Sequence, residues 1–190
     1  MCGRYFFDLT NEVLAGILAQ AQQAMPKAGI KGGEIFPSES AAVLTRAGIR
    51  AMRWGFVPPS GKGRVINAKS ETALQRPMFS YAMRNNPCLV PASCYYEWQK
   101  QGKKGIKHAF YGQDMPAFYL AGCYEETKEG LPTFAILTRA ASACVMPIHD
   151  RMPVIFDREA ARRFLNGEPG ALQGALTQLV IKRAAEDGEE

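Results

Sequence analysis

The middle of this 190-residue chain is a succession of short apolar, β-branched and aromatic runs joined by turn residues rather than by crossover helices. The runs cover 41–45, 49–56, 88–91, 94–99, 108–111, 117–124, 133–138 and 153–156. Strands joined by turns pair antiparallel, because a parallel neighbour needs a connection of a dozen or more residues. The expected class is therefore α+β, a mainly antiparallel, barrel-like sheet with helices at its margins, in a single domain. Thr10 can cap a first helix with Val13, Leu14, Ile17, Leu18 and Ala21 on one face, closed by Pro26. Asp157 can cap a second through Ala160, Ala161, Phe164 and Leu165, stopped by Asn166-Gly167, and residues 171–184 read as a third. The domain is expected to run over 1–185, with the acidic residues 186–190 as a disordered tail.

Composition narrows the classes further. Hydrophobic residues make up 47% and charged ones 22%, which is globular usage and excludes disorder, collagen and coiled coil. No apolar run approaches the ~20 residues of a membrane span, and the first residues lack the pattern of a secretory signal, so the expectation is a cytoplasmic protein with no membrane association. The formal charge is +5, and four acids in the last five residues leave +9 on the rest. A basic body is permissive for an anionic partner. Cysteines at 2, 88, 94, 123 and 144 form an odd set with no C-x-x-C pair, which suits reduced thiols and argues against a structural zinc site.

Cys2 follows the initiator Met, and a small second residue normally permits removal of Met1. A free N-terminal cysteine carries an α-amine with pKa ~8 beside a thiol with pKa ~8.5. Such a 1,2-aminothiol captures aldehydes: the amine condenses to an iminium and the sulfur closes on the same carbon to give a thiazolidine. The plainer reading, an accident of position in a strand-forming terminus, is favoured from this residue alone. Glu97 lies in Tyr95-Tyr96-Glu97-Trp98, where strand alternation puts it on one face with Tyr95 and sends Tyr96 and Trp98 to the other. It is either solvated or held in a pocket, where desolvation would let it move protons near neutrality.

His149 sits in Met146-Pro147-Ile148-His149-Asp150-Arg151-Met152-Pro153, at a strand entrance that suits a general acid or base. The alternative is a surface loop in which Asp150 and Arg151 pair with each other. His108 follows Lys100, Lys103, Lys104 and Lys107, a loop that reads as a solvated hairpin tip. Asn67-Ala68-Lys69-Ser70-Glu71-Thr72 offers donors for a phosphate or sugar and equally reads as a helix start. Cys88, Cys94, Cys123 and Cys144 are assigned to packing.

In this order, Met1-Cys2-Gly3-Arg4, Asn67 to Thr72, Cys88-Leu89-Val90-Pro91-Ala92, Tyr96-Glu97-Trp98 and Ile148 to Val154 resemble the SRAP family, whose members are also called abasic site processing proteins. The resemblance spans Met1 to about Leu165. It implies a DNA-repair protein, a monomer needing no cofactor or metal, that binds abasic sites in single-stranded DNA and joins them through N-terminal Cys2. It also implies autoproteolytic release of Met1 and a weak lyase side reaction. Carried over by motif, Cys2 is the nucleophile, Glu97 handles its α-amine, His149 serves as acid or base, and Asn67 holds the sugar or phosphate. Arg4 and Lys69 would contact phosphates, and Arg76, Thr138 and Arg151 would extend that surface, with Pro37 and Trp54 on the DNA side.

This chain departs from the family pattern in having Lys69 where an arginine is usual, in the loop 57–64 where a wedging tryptophan is usual, and in lacking a recognisable closing strand. Two other functions fit the same residues. One is a cysteine peptidase acting in trans through Cys2, His149 and Asn67, and the other a non-catalytic single-strand-binding module.

Overall fold

A computed structural model describes residues 2–101, 104–128 and 130–185, so the acidic tail at 186–190 lies outside the described residues. The strands are β1 (Tyr5–Phe7), β2 (Gly33–Ile35), β3 (Ser40–Thr45), β4 (Gly48–Trp54), β5 (Asn67–Lys69), β6 (Pro87–Ala92) and β7 (Cys94–Gln101). They continue with β8 (Lys104–Gly112), β9 (Phe118–Glu125), β10 (Thr133–Ala140), β11 (Arg151–Pro153), β12 (Ile155–Phe156) and β13 (Leu179–Arg183). Three α-helices, α1 (Glu12–Ala24), α2 (Pro77–Asn85) and α3 (Arg158–Leu165), lie at the margins.

The strands form two sheets. The first runs β13-β8-β7-β1-β2, with every pairing antiparallel. The second runs β11-β10-β4-β3-β6-β9-β12, and because β10 also pairs with β9, strands β10, β4, β3, β6 and β9 close into a ring. The α+β, barrel-like expectation therefore holds. It is modified by two parallel pairings, β10 with β4 and β10 with β5, made possible by the long excursions between those strands.

Local chemistry explains most elements. The cap of α1 is Asn11 rather than Thr10: its side chain accepts from the N–H groups of Val13 and Leu14, while Thr10 is held by Asp8. Leu14, Ile17, Leu18 and Ala21 of α1 are buried, but Val13 is 60% exposed, off the apolar stripe. Asp157 caps α3 through Ala160 N–H, as its sequence indicates. Residues 67–72 are not a helix start: β5 is followed by a turn, and the helix comes later, with Pro77 in its first turn. Residues 171–184 are not a helix either. A short 3-10 turn, Ala171–Gly174, leads to β13, which closes the edge of the first sheet along β8 and so supplies the strand the sequence seemed to lack.

The core has two large parts, one around Trp54, Phe134 and α1, the other around Phe56, Phe79, Phe156 and Phe164 beneath α2 and α3, and a small third around Cys94, Tyr96 and Ala109. Where β9 is flanked by β6 and β10, Gly122 allows close approach. A Cβ there would lie 2.8 Å from the Ala135 carbonyl oxygen and 3.0 Å from Cys88 Sγ. Gly122→Ala should therefore destabilise the protein by about 1–3 kcal/mol, read as a lower urea midpoint; an unchanged midpoint would show that the ring adapts at no cost.

Candidate active site

Cys2 stands just ahead of β1 and is completely buried. Asn67, the first residue of β5, donates from Nδ2 to the Cys2 carbonyl oxygen at 2.9 Å. The parallel pairing of β5 with β10 sets the position of that amide, and Trp54 supports it by donating from Nε1 to the Ile66 carbonyl at 3.0 Å. Residues 65 apart in sequence are thus brought into direct contact.

Glu97 projects from β7 on the same side as Tyr95 and is 3% exposed, which decides for the pocket over the solvated face. Burial pushes its carboxyl up to about 7; the charge of Asp150 adds to the rise and the chain's amino terminus opposes it. At neutral pH it is poised to take or give a proton. Burial also drives the Cys2 thiol far above the usual thiol range, and the nearby charge of Glu97 adds to that. The thiol donates weakly to the Arg4 carbonyl, with Sγ to oxygen 3.7 Å.

The loop bearing His149 is pinned to β7, because Gln99 Nε2 donates to the Pro147 carbonyl at 3.1 Å. His149 Nδ1 accepts the Arg151 N–H at 3.0 Å, so the neutral ring carries its proton on Nε2. Asp150 Oδ1 lies 2.9 Å from the same Nδ1 and would accept a hydrogen bond from its N–H in the charged ring. Burial first, and then the chain's positive terminus, lower the His149 pKa from its ordinary value. The ring is therefore mainly neutral at pH 7.

The expected DNA-side residues divide into distinct groups. Lys69 and Arg76 are exposed and line a cleft of about 350 Å³ with Asn67, Thr72 and the first turn of α2. Pro37 is half-buried beside Phe36, in a turn where Ser38 adopts φ 73°. Arg4 lies between the rings of Phe36 (4.3 Å) and Trp98 (4.9 Å) and pairs with Glu34 at 3.2 Å.

Arg151 forms a two-pronged pair with Glu71 at 2.7 and 2.9 Å and donates to Thr138 Oγ1 at 3.2 Å. That pair holds the Glu71 carboxyl down to about 2. Arg151 is thus a strut between β11 and the turn after β5, and Thr138 is wholly buried beneath it. Trp54 is also wholly buried and cannot reach DNA; its work is in the core and at Ile66.

Other expectations change with long-range partners. Lys107 is not part of a solvated tip: it is buried, pairs with Glu34 at 2.6 Å and lies 4.4 Å from the Tyr96 ring centre. Lys103 lies outside the described residues. All five cysteines are free thiols; Cys88, Cys94 and Cys123 are packed, whereas Cys144 is partly exposed and donates to the Thr177 carbonyl at 3.3 Å. Among the described residues no cluster of three or more His, Cys, Asp or Glu is arranged to hold a metal ion, and no helix is long and apolar enough to cross a membrane. Sequence reasoning passed over Glu34 and took Glu71 only as part of the segment 67–72, not as the partner of Arg151, because the residues these carboxylates fix, Arg4 and Arg151, lie at least 30 residues away. It also passed over Tyr5 and Tyr95, although alternation already put Tyr95 on the face of Glu97.

Residues 1–187 match the family model described as SOS response associated peptidase (SRAP). The abasic site processing protein YobE of Bacillus subtilis is 33% identical over 93% of this chain and 88% of its own length. The abasic site processing protein YedK of Escherichia coli is 27% identical over 88% of this chain and 81% of its own. Among solved structures, one from Bacteroides thetaiotaomicron superposes with a TM-score of 0.81 at 18% identity, over 98% of this chain and 93% of that one. One from Bordetella bronchiseptica gives 0.75 at 21% identity, over 97% of this chain and 100% of that one. At these identities the two structures speak to the fold alone.

Proposed function

This chain belongs to the SRAP family, and from that membership we propose that it processes abasic sites in single-stranded DNA, with Cys2 as the covalent trap for the ring-opened sugar. The observation that carries the reading is the setting of Cys2: its carbonyl is gripped by Asn67 and its buried thiol lies within electrostatic reach of Glu97. Relatives named abasic site processing proteins supply the substrate class.

Met1 has to leave first, because until then the Cys2 nitrogen is an amide and forms no iminium. The same residues are assigned that autoproteolytic step, with Cys2 attacking or Glu97 assisting. The freed α-ammonium then passes a proton to Glu97, and the amine adds to the aldehyde carbon of the sugar. Glu97 returns that proton to the carbinolamine hydroxyl, which leaves as water to give the iminium. The Cys2 sulfur adds to the same carbon, the C=N electron pair returns to nitrogen, and the thiol proton goes to the Glu97 carboxylate. The product is a five-membered thiazolidine.

The high thiol pKa fits this order, with the amine reacting first and the thiol second. An iminium that does not close drains by β-elimination, a weak lyase activity. His149, neutral at rest, takes and returns the proton for sugar ring opening and for reversal of the crosslink. Lys69 and Arg76 offer charge to the phosphates, with Arg4 and Pro37 flanking them. The protein is read as a cytoplasmic monomer that needs no cofactor, and its free thiols fit that compartment.

The test mixes protein whose mass shows Met1 removed with a single-stranded oligonucleotide carrying one abasic site, on a denaturing gel beside Cys2→Ala. A shifted band is expected from wild type alone. An equally strong band from Cys2→Ala would sink the mechanism. No band from wild type, with salt-sensitive binding equal for intact and abasic strands, would leave a plain single-strand-binding module.

A further inference from the structure

The loop that carries His149 leaves β10 at Ala140 and rejoins the sheet at Arg151, and these two residues stand opposite each other in the β10–β11 register. Within the loop the Met146 and His149 N–H groups donate back to the Ser142 and Val145 carbonyls at 2.9 and 3.1 Å, so it is wound into a compact turn. The Ala141 N–H donates to the Asp150 carbonyl at 3.0 Å and closes the neck. The Glu71 carboxylate holds both sides of that neck. Its Oε1 accepts the Ala140 N–H at 3.2 Å on the outgoing side, and its two oxygens accept the Arg151 guanidinium at 2.7 and 2.9 Å on the returning side.

Arg151 passes this constraint to the imidazole, because its backbone N–H is the donor to His149 Nδ1 at 3.0 Å. Its guanidinium is largely buried, and without Glu71 it would keep only Thr138 Oγ1, at 3.2 Å, among the described residues. A guanidinium in that position turns toward water and loosens the backbone behind it. Glu71 itself belongs to the turn after β5, the strand whose first residue, Asn67, grips the Cys2 carbonyl. We propose that Glu71 is a positioning residue for His149: it clasps the neck of the loop against the Asn67 segment and so sets where the imidazole stands and which ring nitrogen carries the proton. The inference rests on the aldehyde-trap reading for the steps that His149 serves.

The experiment compares wild type, Glu71→Ala and Glu71→Gln with Glu126→Ala, which breaks a similar two-pronged surface pair, to Arg50. Nitrogen-15 spectra at pH 8 read the ring tautomers. The chain has only two histidines, and His108, whose Nδ1 lies 3.0 Å from the Ile106 carbonyl and so carries its proton there, is the internal reference. Wild type should show His149 fixed with its proton on Nε2. In Glu71→Ala its signals should move toward the average of a freely exchanging neutral ring, with His108 unchanged and Glu71→Gln, which keeps an acceptor oxygen, in between. A second readout is the release of a labelled abasic oligonucleotide from the preformed crosslink. It should slow by about tenfold in Glu71→Ala, with no loss of affinity for an intact single strand, and stay at the wild-type rate in Glu126→Ala. Either readout left at its wild-type value in Glu71→Ala would overturn the proposal, as would equal changes in Glu126→Ala. If wild type forms no crosslink, the underlying function fails, and the nitrogen spectra alone decide whether Glu71 sets the ring.

Discussion

A Glu97→Gln protein is expected to crosslink abasic single strands about 100-fold more slowly than wild type at pH 7, and yet to resist urea better at pH 8. Both effects follow from a carboxyl held in a nearly dry pocket with its pKa pushed up to about 7. The kinetic loss arises because glutamine can neither take the ammonium proton before attack nor the thiol proton at closure. Wild-type crosslinking should accordingly rise as pH passes from 6 to 8, and the variant should lose that rise.

The stability gain follows from linkage. Between the ordinary carboxyl value of 4.5 and about 7 the folded state keeps a proton that the unfolded state has released. Stability therefore falls as pH rises through that window, by about 3 kcal/mol in all, and glutamine removes the fall. Urea midpoints of the two proteins should diverge from pH 5 to pH 8, with the variant higher. A variant that crosslinks at the wild-type rate, or whose midpoint tracks that of wild type across pH, would remove Glu97 from the proton-transfer role.

Trp54→Ala should cost about 3–5 kcal/mol and lower Tm by on the order of 10 °C, the largest packing loss expected from one side chain in this molecule. Trp54 is wholly buried, packs on Tyr5 and stacks on Phe134 at 6.2 Å. It also fixes the Ile66 carbonyl, one residue ahead of the amide that grips Cys2. Trp54→Phe separates the two tasks: it keeps much of the apolar bulk but leaves the Ile66 carbonyl with only the Ile136 N–H. Calorimetry should rank Trp54→Phe between wild type and Trp54→Ala. An alanine variant that melts within a degree or two of wild type would show that neighbouring side chains refill the space.

Short-range signals carried far in this chain. Alternation in Tyr95-Tyr96-Glu97-Trp98 placed Glu97 with Tyr95 before any coordinates, and Asp157 with the Ala160, Ala161 and Phe164 stripe marked α3. The failures are where the deciding partner is distant. Lys107 reads as one more lysine in a basic loop until Glu34, 73 residues away, comes to meet it. β5 is only three residues, Asn67-Ala68-Lys69, and is a strand because β10 offers it a parallel partner. β13 has alternating Leu179 and Ile181, but in five residues that is too short to compete with a helical reading unless β8 is already known to be an open edge. α2 is only nine residues long, and its signals, the stripe of Met78, Phe79, Ala82 and Met83 and the start signal of Pro77, are correspondingly short. At the site, the motifs named Cys2, Asn67, Glu97 and His149, but no pattern could reveal that Arg151 is tied down by Glu71.

The two sheets hold the candidate site residues in unequal grips. β10 bonds to β4, β5, β9 and β11, so the Asn67 and Arg151 side of the site is anchored to a strand that cannot shift without tearing four pairings. Cys2 leads into β1, a three-residue strand held by short registers to β2 and β7. The site is therefore built like a vice with one fixed jaw and one compliant jaw. Local opening costs least where pairings are fewest, so the Cys2 side of the site opens more readily than the side that carries Asn67 and Arg151.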